Sequence, residues 1–259
     1  MSLMQLKGKK IIYAGCSRGI GYQTVQVLVE EGADVVGLAR RMPEEKIKTV
    51  QEAGEGTFKF MKCDVGNREM VQKVVDEAVK HLGGRLDVII SGALRYWAVK
   101  CEDLTDEDFE NLFSTVFYGT VHLNQAAFPY LKESKGTIIN FGSGAGTTTK
   151  TAGPDPAHYC AGKAAVHMWT KCCAKEWAQY GINANVVCPM MWTEAGEENI
   201  NTPEMMEWYQ ARLKEHIFMG RNGDARTEMA PYIVFLCTEG AKFITGQLLN
   251  CDGGMVESR

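Results

Sequence analysis

The chain of 259 residues is long enough to bury a sizeable core, and α/β folds of this length usually form one domain, so we expect a single domain over residues 1–259. Its net charge of -4, without long runs of like charge, gives no reason to expect nucleic acid or an anionic membrane as a partner. Nine scattered cysteines, and the lack of an apolar run long enough for a membrane span or a signal peptide, favour a reduced, cytoplasmic protein.

Short β-branched runs alternate with longer segments of helical period, which is typical of a parallel sheet with crossover helices. Strands are predicted at residues 10–14, 34–39, 57–63, 86–91, 136–142, 182–188 and 246–250. Helices are predicted between them at residues 19–31, 43–53, 67–82, 105–133, 157–179, 203–216 and 227–238. The segment from about 190 to 225 interrupts this alternation, and we interpret it as a lid over the substrate.

A glycine-rich turn joins the first predicted strand to the first predicted helix. Its three glycines permit a sharp turn and a close approach to a pyrophosphate, while the helix N-terminus offers free N–H groups and a positive dipole end. Glycine-rich turns also occur for packing alone, but the position between a strand and a helix favours a dinucleotide site. The candidate contacts here are Gly15, Ser17, Arg18, Gly19, Ile20 and Gly21.

The end of the second strand indicates which dinucleotide is bound. An acidic residue there would bind a ribose 2'-hydroxyl and repel a 2'-phosphate, but this chain has Ala39 followed by Arg40. A guanidinium suits recognition of a phosphate, so Arg18 and Arg40 favour NADP(H) over NAD(H), unless both are merely solvated surface charges. Asp64, after the third strand, is a candidate acceptor for the adenine amino group or an ordinary cap.

Tyr159 and Lys163 are four residues apart in a predicted helix, which places both side chains on one face. A free phenol has a pKa of about 10, and a nearby ammonium stabilises the phenolate and lowers that pKa. Ser143 follows the fifth strand and is a candidate hydrogen-bond donor to a substrate carbonyl. The three residues together predict a site that protonates a ketone oxygen while hydride reaches the carbon.

The order and spacing of these residues resemble the short-chain dehydrogenase/reductase family over nearly the whole chain. The shared motifs are Gly15-x-x-x-Gly19-x-Gly21, Asp64-Val65, Ser143, Tyr159-x-x-x-Lys163, Asn185-Val186-Val187-x-Pro189, Thr245-Gly246 and Asp252-Gly253-Gly254. The resemblance implies a single Rossmann-like, doubly wound domain with a parallel sheet of about seven strands, in which Tyr159 donates the proton and Lys163 also binds the nicotinamide ribose. It further implies a homotetramer or homodimer built partly on the two long helices. The remaining candidate cofactor contacts are Val65, Ser91, Gly92, Pro189 and Thr193.

The chain departs from the family pattern at several positions. Ser91-Gly92-Ala93-Leu94 replaces the usual Asn-Asn-Ala-Gly, which alters the wall beside the adenosine ribose. Val116 stands where the family has an Asn that helps to order a proton-relaying water, although the backbone carbonyl there is still able to hold that water. The interval from Ser143 to Tyr159 is about three residues longer than usual and contains Pro154, which indicates a reshaped substrate mouth.

Ligands of this fold enter at the carboxyl ends of the strands, so the loops after Ser91, Gly142 and Pro189 should line the pocket. Aromatic and methionine side chains in them favour a bulky apolar substrate, steroid-like or a similar ring system, unless these side chains only pack a lid or a subunit interface. The candidate substrate residues are Arg95, Trp97, Met190 and Trp192. In an alternative, a 3-oxoacyl-thioester reductase, Arg95 or Lys150 would bind an anionic arm.

We therefore expect an NADP(H)-dependent oxidoreductase that interconverts a ketone and a secondary alcohol. An alternative of another class is a dinucleotide-binding sensor or scaffold without turnover, which Val116 and the altered Ser91-Gly92 pair keep open. The intact Ser143, Tyr159 and Lys163 argue against it, because a pure binder has no need of these three side chains together. The five histidines show no paired ligand spacing, so no metal is expected.

Overall fold

The computed structural model describes residues 5–152, 155–194, 198, 200 and 202–256. In this part of the chain seven strands run parallel in one sheet. They are β1 (Lys10–Ala14), β2 (Asp34–Ala39), β3 (Thr57–Lys62), β4 (Val88–Ser91), β5 (Thr137–Phe141), β6 (Asn183–Pro189) and β7 (Leu248–Cys251). Each predicted strand is present; β1 and β2 have the predicted ends, and the ends of the other strands differ from the prediction by at most two residues.

The strand order across the sheet is β3-β2-β1-β4-β5-β6-β7. The chain first builds outward from β1 to β3 and then crosses back to place β4 on the other side of β1. A crevice forms at such a reversal, beyond the carboxyl ends of the two strands on either side of it. This topology confirms the predicted single doubly wound, Rossmann-like domain.

Both faces of the sheet are buried, and β1 shows how the sequence produces this. Ile11 and Tyr13 pack into a hydrophobic cluster on one face, while Ile12 and Ala14 pack into a second cluster on the other. Alternate residues of a strand point to opposite faces, so a strand covered on both sides is apolar at most positions. Continuous apolar runs of this kind are the reason that the sequence predicts the strands well.

The helices flank this sheet on both faces. They are α1 (Gly19–Glu30), α2 (Glu44–Gln51), α3 (Arg68–His81), α4 (Asp106–Phe113), α5 (Gly119–Ser134), α6 (Ala157–Trp177), α7 (Pro203–His216) and α8 (Ala230–Leu236). None of the helices within the described residues is long and apolar enough to cross a membrane. The predicted lid, residues 190–225, contains α7, but part of it lies outside the described residues.

The helix predicted over residues 105–133 is present, but a π-helical turn at Ser114–Tyr118, which the sequence did not predict, separates its α-helical parts α4 and α5. The hydroxyl of Thr120 donates to the carbonyl of Val116 at 2.8 Å within this region. Next to it, a Cβ atom at Gly119 would lie only 2.6 Å from the side chain of Val65, so the chain packs tightly there. A π turn adds one residue to a helical turn, a change too small for hydrophobic periodicity to reveal.

A buried polar network holds α5 and α6 against β5. The side-chain amides of Asn124 and Asn140 donate to each other at 3.1 and 2.9 Å. Asn140 also donates to the Thr170 hydroxyl at 2.9 Å, and the indole of Trp169 donates to Asn124 at 3.0 Å. Buried polar groups need such partners, so the network fixes the position of α6 relative to the end of β5.

Candidate active site

The carboxyl edge of the sheet brings together the residues that the sequence singled out. The turn that carries Gly15 follows β1, Ser91 ends β4, Ser143 follows β5 and Pro189 ends β6. Because these strands are parallel and adjacent, their ends lie side by side, with the reversal of strand order between β1 and β4. The candidate cofactor residues and the candidate catalytic residues thus share one edge.

Tyr159 and Lys163 lie one turn apart on α6, and both side chains are buried. The ammonium Nζ of Lys163 donates to the carbonyl of Phe141, the last residue of β5, at 2.8 Å. The same Nζ lies 5.8 Å from the centre of the Tyr159 ring. The side chain of Ser143 interacts with the Tyr159 phenol and opposes the rise of its pKa, and the Ser143 Oγ accepts the Ala145 N–H at 3.2 Å. The structure therefore brings the three predicted residues together.

Burial dominates the electrostatics of this trio. It raises the pKa of Tyr159, and the hydrogen bond with Ser143 opposes that rise only in part. The carboxylate of Asp155 raises it further. Lys163 is not among the groups that shift this pKa, contrary to the sequence-based expectation, and Tyr159 is a neutral phenol that has a proton to donate. Burial also lowers the pKa of Lys163 to about 8.

An apolar wall surrounds the Tyr159 ring. Val116 and Trp97 belong to the same hydrophobic cluster as Tyr159, and the ring of Tyr96 meets that of Tyr159 edge to face at 5.2 Å. Val116, which stands where the family has an Asn, is thus part of a hydrophobic wall. The Val116 carbonyl, to which the sequence analysis assigned a water, accepts the Thr120 hydroxyl.

The turn after β1 fits a dinucleotide pyrophosphate. Gly15 has a φ of 93°, and a Cβ atom there would lie 2.6 Å from the backbone of Gly92. No side chain caps the N-terminus of α1, so its first N–H groups are open to an anion. The hydroxyl of Ser91, which ends β4 beside β1, is buried without a partner within the described residues. An unpaired buried hydroxyl at this position fits a hydrogen bond to a bound ligand.

The two arginines predicted to bind the adenosine phosphate are both exposed. The guanidinium of Arg18 pairs with Glu198 through two contacts of 3.3 Å. Oδ1 of Asp64 accepts the N–H of Gly66 at 3.0 Å, which is a contact within the turn after β3. Thr193 faces the turn after β1, since a Cβ atom at Gly19 would lie 3.6 Å from its side chain.

The four candidate substrate residues separate into two places. Trp97 stands at the wall of Tyr159, where its indole donates to Asp108 at 2.9 Å, and Arg95 donates to Asn111 at 3.1 Å. Met190 and Trp192 instead pack in a second cluster against α7, where the rings of Trp192 and Tyr209 are 5.7 Å apart. This packing agrees with the lid alternative for the second pair, and contact of Met190 and Trp192 with a substrate stays a prediction. Pro154, also predicted at the mouth, lies outside the described residues.

Sequence reasoning missed His167, which the structure places behind the trio. Its Nε2 accepts the backbone N–H of Ser143 at 3.3 Å, and the ring is buried. The signal was present, because His167 follows Lys163 by four residues and therefore shares the α6 face of Tyr159 and Lys163. A search for paired metal ligands among the histidines could not reveal this contact.

Comparisons with known proteins match nearly the whole chain. A family model described as enoyl-(acyl carrier protein) reductase matches residues 14–256. The chain is 30% identical over 253 residues to a tropinone reductase homolog of Arabidopsis thaliana, covering 96% of this chain and 94% of that protein. It is 29% identical over 257 residues to the 3-oxoacyl-acyl-carrier-protein reductase FabG of Thermotoga maritima, covering 98% and 100%. A solved complex of Pseudomonas aeruginosa RhlG with NADP superposes with a TM-score of 0.86 at 28% identity, covering 98% of this chain and 99% of that one.

The buried ammonium of Lys163 is expected to lower the free energy of unfolding of the protein. A folded pKa of about 8, against about 10.4 for a free lysine, means that the unfolded chain binds more protons between these pH values. The resulting loss of stability is therefore complete below pH 8, and it disappears as the pH rises toward 10.4. We expect Lys163→Met to raise the free energy of unfolding at neutral pH by about 1–3 kcal/mol, after allowance for the lost bond to Phe141.

Urea unfolding of both proteins at pH 7 and near pH 10 measures this effect. The advantage of Lys163→Met should be present at pH 7 and mostly gone at the higher pH. Lys171→Met, at an exposed position on the same helix, is the control and should change stability little at either pH. A Lys163→Met protein that is less stable than the wild type at pH 7 would show that the buried ammonium does not destabilise the fold.

Proposed function

Since this chain belongs to the short-chain dehydrogenase/reductase family, oxidoreductases that bind a nicotinamide dinucleotide, we propose that it uses NADP(H) to interconvert a ketone and a secondary alcohol. The observation that carries the proposal is the buried trio of Ser143, Tyr159 and Lys163 beside the crevice at the carboxyl edge. A protein that only binds a dinucleotide does not need a buried, costly ammonium beside a phenol.

Ketone reduction requires a hydride at the carbonyl carbon and a proton at its oxygen, and a bound reduced nicotinamide supplies the hydride. The Ser143 hydroxyl donates a hydrogen bond to the carbonyl oxygen and orients it. Tyr159 donates its proton to the same oxygen as negative charge develops there, and its raised pKa keeps that proton available at neutral pH. Lys163 then stabilises the phenolate, and it binds the nicotinamide ribose in our proposal.

The substrate that we propose is a bulky, apolar ketone with a ring system. Its support is the wall around Tyr159, formed by the rings of Tyr96 and Trp97 and the side chain of Val116. A 3-oxoacyl thioester remains a second candidate, because the chain resembles a 3-oxoacyl-acyl-carrier-protein reductase over its full length. The contact between Arg95 and Asn111 does not favour it, since that contact engages the guanidinium proposed for an anionic arm.

We also propose that the protein works in the cytoplasm as a homodimer or homotetramer. The proposed interface lies on the long helices, where Phe109, Tyr118 and Met168 are exposed on α4, the π turn and α6. Large exposed apolar side chains on neighbouring elements fit a contact between copies of the chain. All nine cysteines are free thiols, which fits a reducing compartment.

The proposed reaction predicts the effect of removing one oxygen atom. Tyr159→Phe should lose about 10²- to 10⁴-fold in kcat, because the proton donor is gone while the ring keeps its packing. NADPH should bind nearly as tightly as it does to the wild type. The measurement is the loss of NADPH absorbance with a panel that includes a steroid ketone, a bicyclic ketone and acetoacetyl-coenzyme A.

Tyr130→Phe is the matched control, because Tyr130 is a half-buried residue of α5 whose hydroxyl donates to Asp76 of α3 and not to a residue of the trio. It should keep wild-type activity. Retention of more than about half of the activity by Tyr159→Phe would remove this residue from its proposed role. A wild-type protein that binds NADPH and turns over no member of the panel would favour a sensor.

The cofactor preference rests on charge at the adenosine end. Arg18 and Arg40 are exposed, and Ala39 leaves the end of β2 without the carboxylate that would repel a 2'-phosphate. An incoming phosphate must displace Glu198 from Arg18. Exposed ion pairs are worth about 0–1 kcal/mol, whereas a charge-assisted hydrogen bond to phosphate contributes about 1.5–3 kcal/mol, so displacement is favourable.

Arg18→Ala and Arg40→Ala should each weaken NADPH binding by roughly ten- to a hundredfold and leave NADH binding almost unchanged. The double variant Ala39→Asp with Arg40→Ala should prefer NADH, because the new carboxylate accepts hydrogen bonds from a free ribose. Fluorescence titration at two salt concentrations gives the dissociation constants, and the preference should decline with salt. Arg68→Ala, on α3, controls for net charge. Equal affinity of the wild type for NADH and NADPH at low salt would refute the NADP(H) assignment.

A further inference from the structure

The backbone N–H of Ser143 leaves the sheet at the point where the candidate site begins. Gly142 still donates to the carbonyl of Val187 in β6, at 2.8 Å. One residue later, the N–H of Ser143 has turned away from β6 and donates to Nε2 of His167 at 3.3 Å. A buried N–H needs an acceptor. The imidazole is the acceptor for Ser143, as the carbonyl of Val187 is for Gly142.

Two glycines leave the space that the imidazole fills. A Cβ atom at Gly142 would collide with Nε2 of His167, and one at Gly146 would lie 2.7 Å from Cε1 of the same ring. The loop that carries Ser143 therefore packs closely against the imidazole and restricts its position. The Sγ of Cys188 lies 3.7 Å from Nε2 on the β6 side.

The acceptor role requires a neutral ring with its proton on Nδ1. Burial and the nearby charges of Lys163 and Lys171 lower the pKa of His167 to about 4, so the ring is neutral at physiological pH. Burial raises the pKa of the Cys188 thiol to about 12, so no thiolate forms to attract a proton to the imidazole. These are the titratable groups that face the ring from α6 and β6.

We propose that His167 is a positioning residue that holds Ser143 from behind and thereby fixes the Ser143 hydroxyl against Tyr159. The proposal deepens the proposed function, on which its kinetic consequence rests. His167 contacts neither substrate nor cofactor in this account. It acts through the backbone of Ser143, whose Oγ is directed at Tyr159 only while the N–H is anchored.

The tautomer of His167 tests the proposal without any substrate. In ¹⁵N spectra of histidine-labelled protein, Nε2 of His167 should be unprotonated and Nδ1 protonated between about pH 5 and pH 8. The amide resonance of Ser143 should move strongly in His167→Leu and little in His167→Gln, since glutamine places an oxygen near the position of Nε2. A protonated Nε2, or a Ser143 amide that is unchanged in His167→Leu, would overturn the proposal even if the proposed reaction is correct.

Kinetics with NADPH and a ketone from the panel test the consequence. His167→Leu should lower kcat on the order of 10- to 100-fold, with KM and NADPH affinity within about twofold, because the loss is one of orientation. His167→Gln should recover kcat to within about threefold of the wild type. His167→Asn, whose amide is too short to reach Ser143, should remain slow. If the leucine variant does not fold, the comparison of the glutamine and asparagine variants decides the question.

Cys173→Ser is the matched control, because Cys173 is buried on the same helix but packs in the hydrophobic cluster of Ile12 and Ala14, which does not include Tyr159. It should lower the midpoint of urea unfolding and leave kcat unchanged. Equal activity of the glutamine and asparagine variants, or a kcat of His167→Leu within twofold of the wild type, would contradict the proposal. His167 would then only fill space in the core.

Discussion

The burial of one ammonium group at the carboxyl end of β5 is the constraint on which the arrangement of the site depends. Lys163 is almost fully buried, and its Nζ donates to the carbonyl of Phe141 at the last position of the strand. A buried cation is costly unless its hydrogen bonds are made, so α6 and the end of β5 must keep a fixed relative position. The network of Asn124, Asn140 and Thr170 supplies that fixed position farther along the same helix and strand.

Burial has opposite effects on the two partners of this site. It raises the pKa of Tyr159, which keeps the phenol neutral. It lowers the pKa of Lys163, which disfavours the charged form of the amine. A neutral phenol is the form that gives a proton to a ketone oxygen, and a charged lysine is the form that stabilises the phenolate afterwards. The neutral ring of His167 fits the same logic, because a second buried cation beside Lys163 would oppose the first.

The sequence predicted the sheet, the glycine turn and the Tyr159–Lys163 pair because each leaves a direct pattern. Buried parallel strands are continuous apolar runs, and a spacing of four residues places two side chains on one helical face. The π turn at Ser114–Tyr118 left no such pattern, since it adds only one residue. The roles of Met190 and of His167 depend on contacts with distant segments, α7 and the Ser143 loop, that only the folded chain brings together.

We propose that the carboxyl edge of the sheet holds a nicotinamide beside Tyr159. A crystal structure of the complex with NADP⁺ tests it most directly, through the position of nicotinamide C4 relative to the Tyr159 hydroxyl. The account predicts that a single carbonyl group fits between them, with each reacting atom within roughly 3 to 3.5 Å of its partner. A nicotinamide ring that lies away from Tyr159, with Lys163 out of reach of its ribose, would contradict the account.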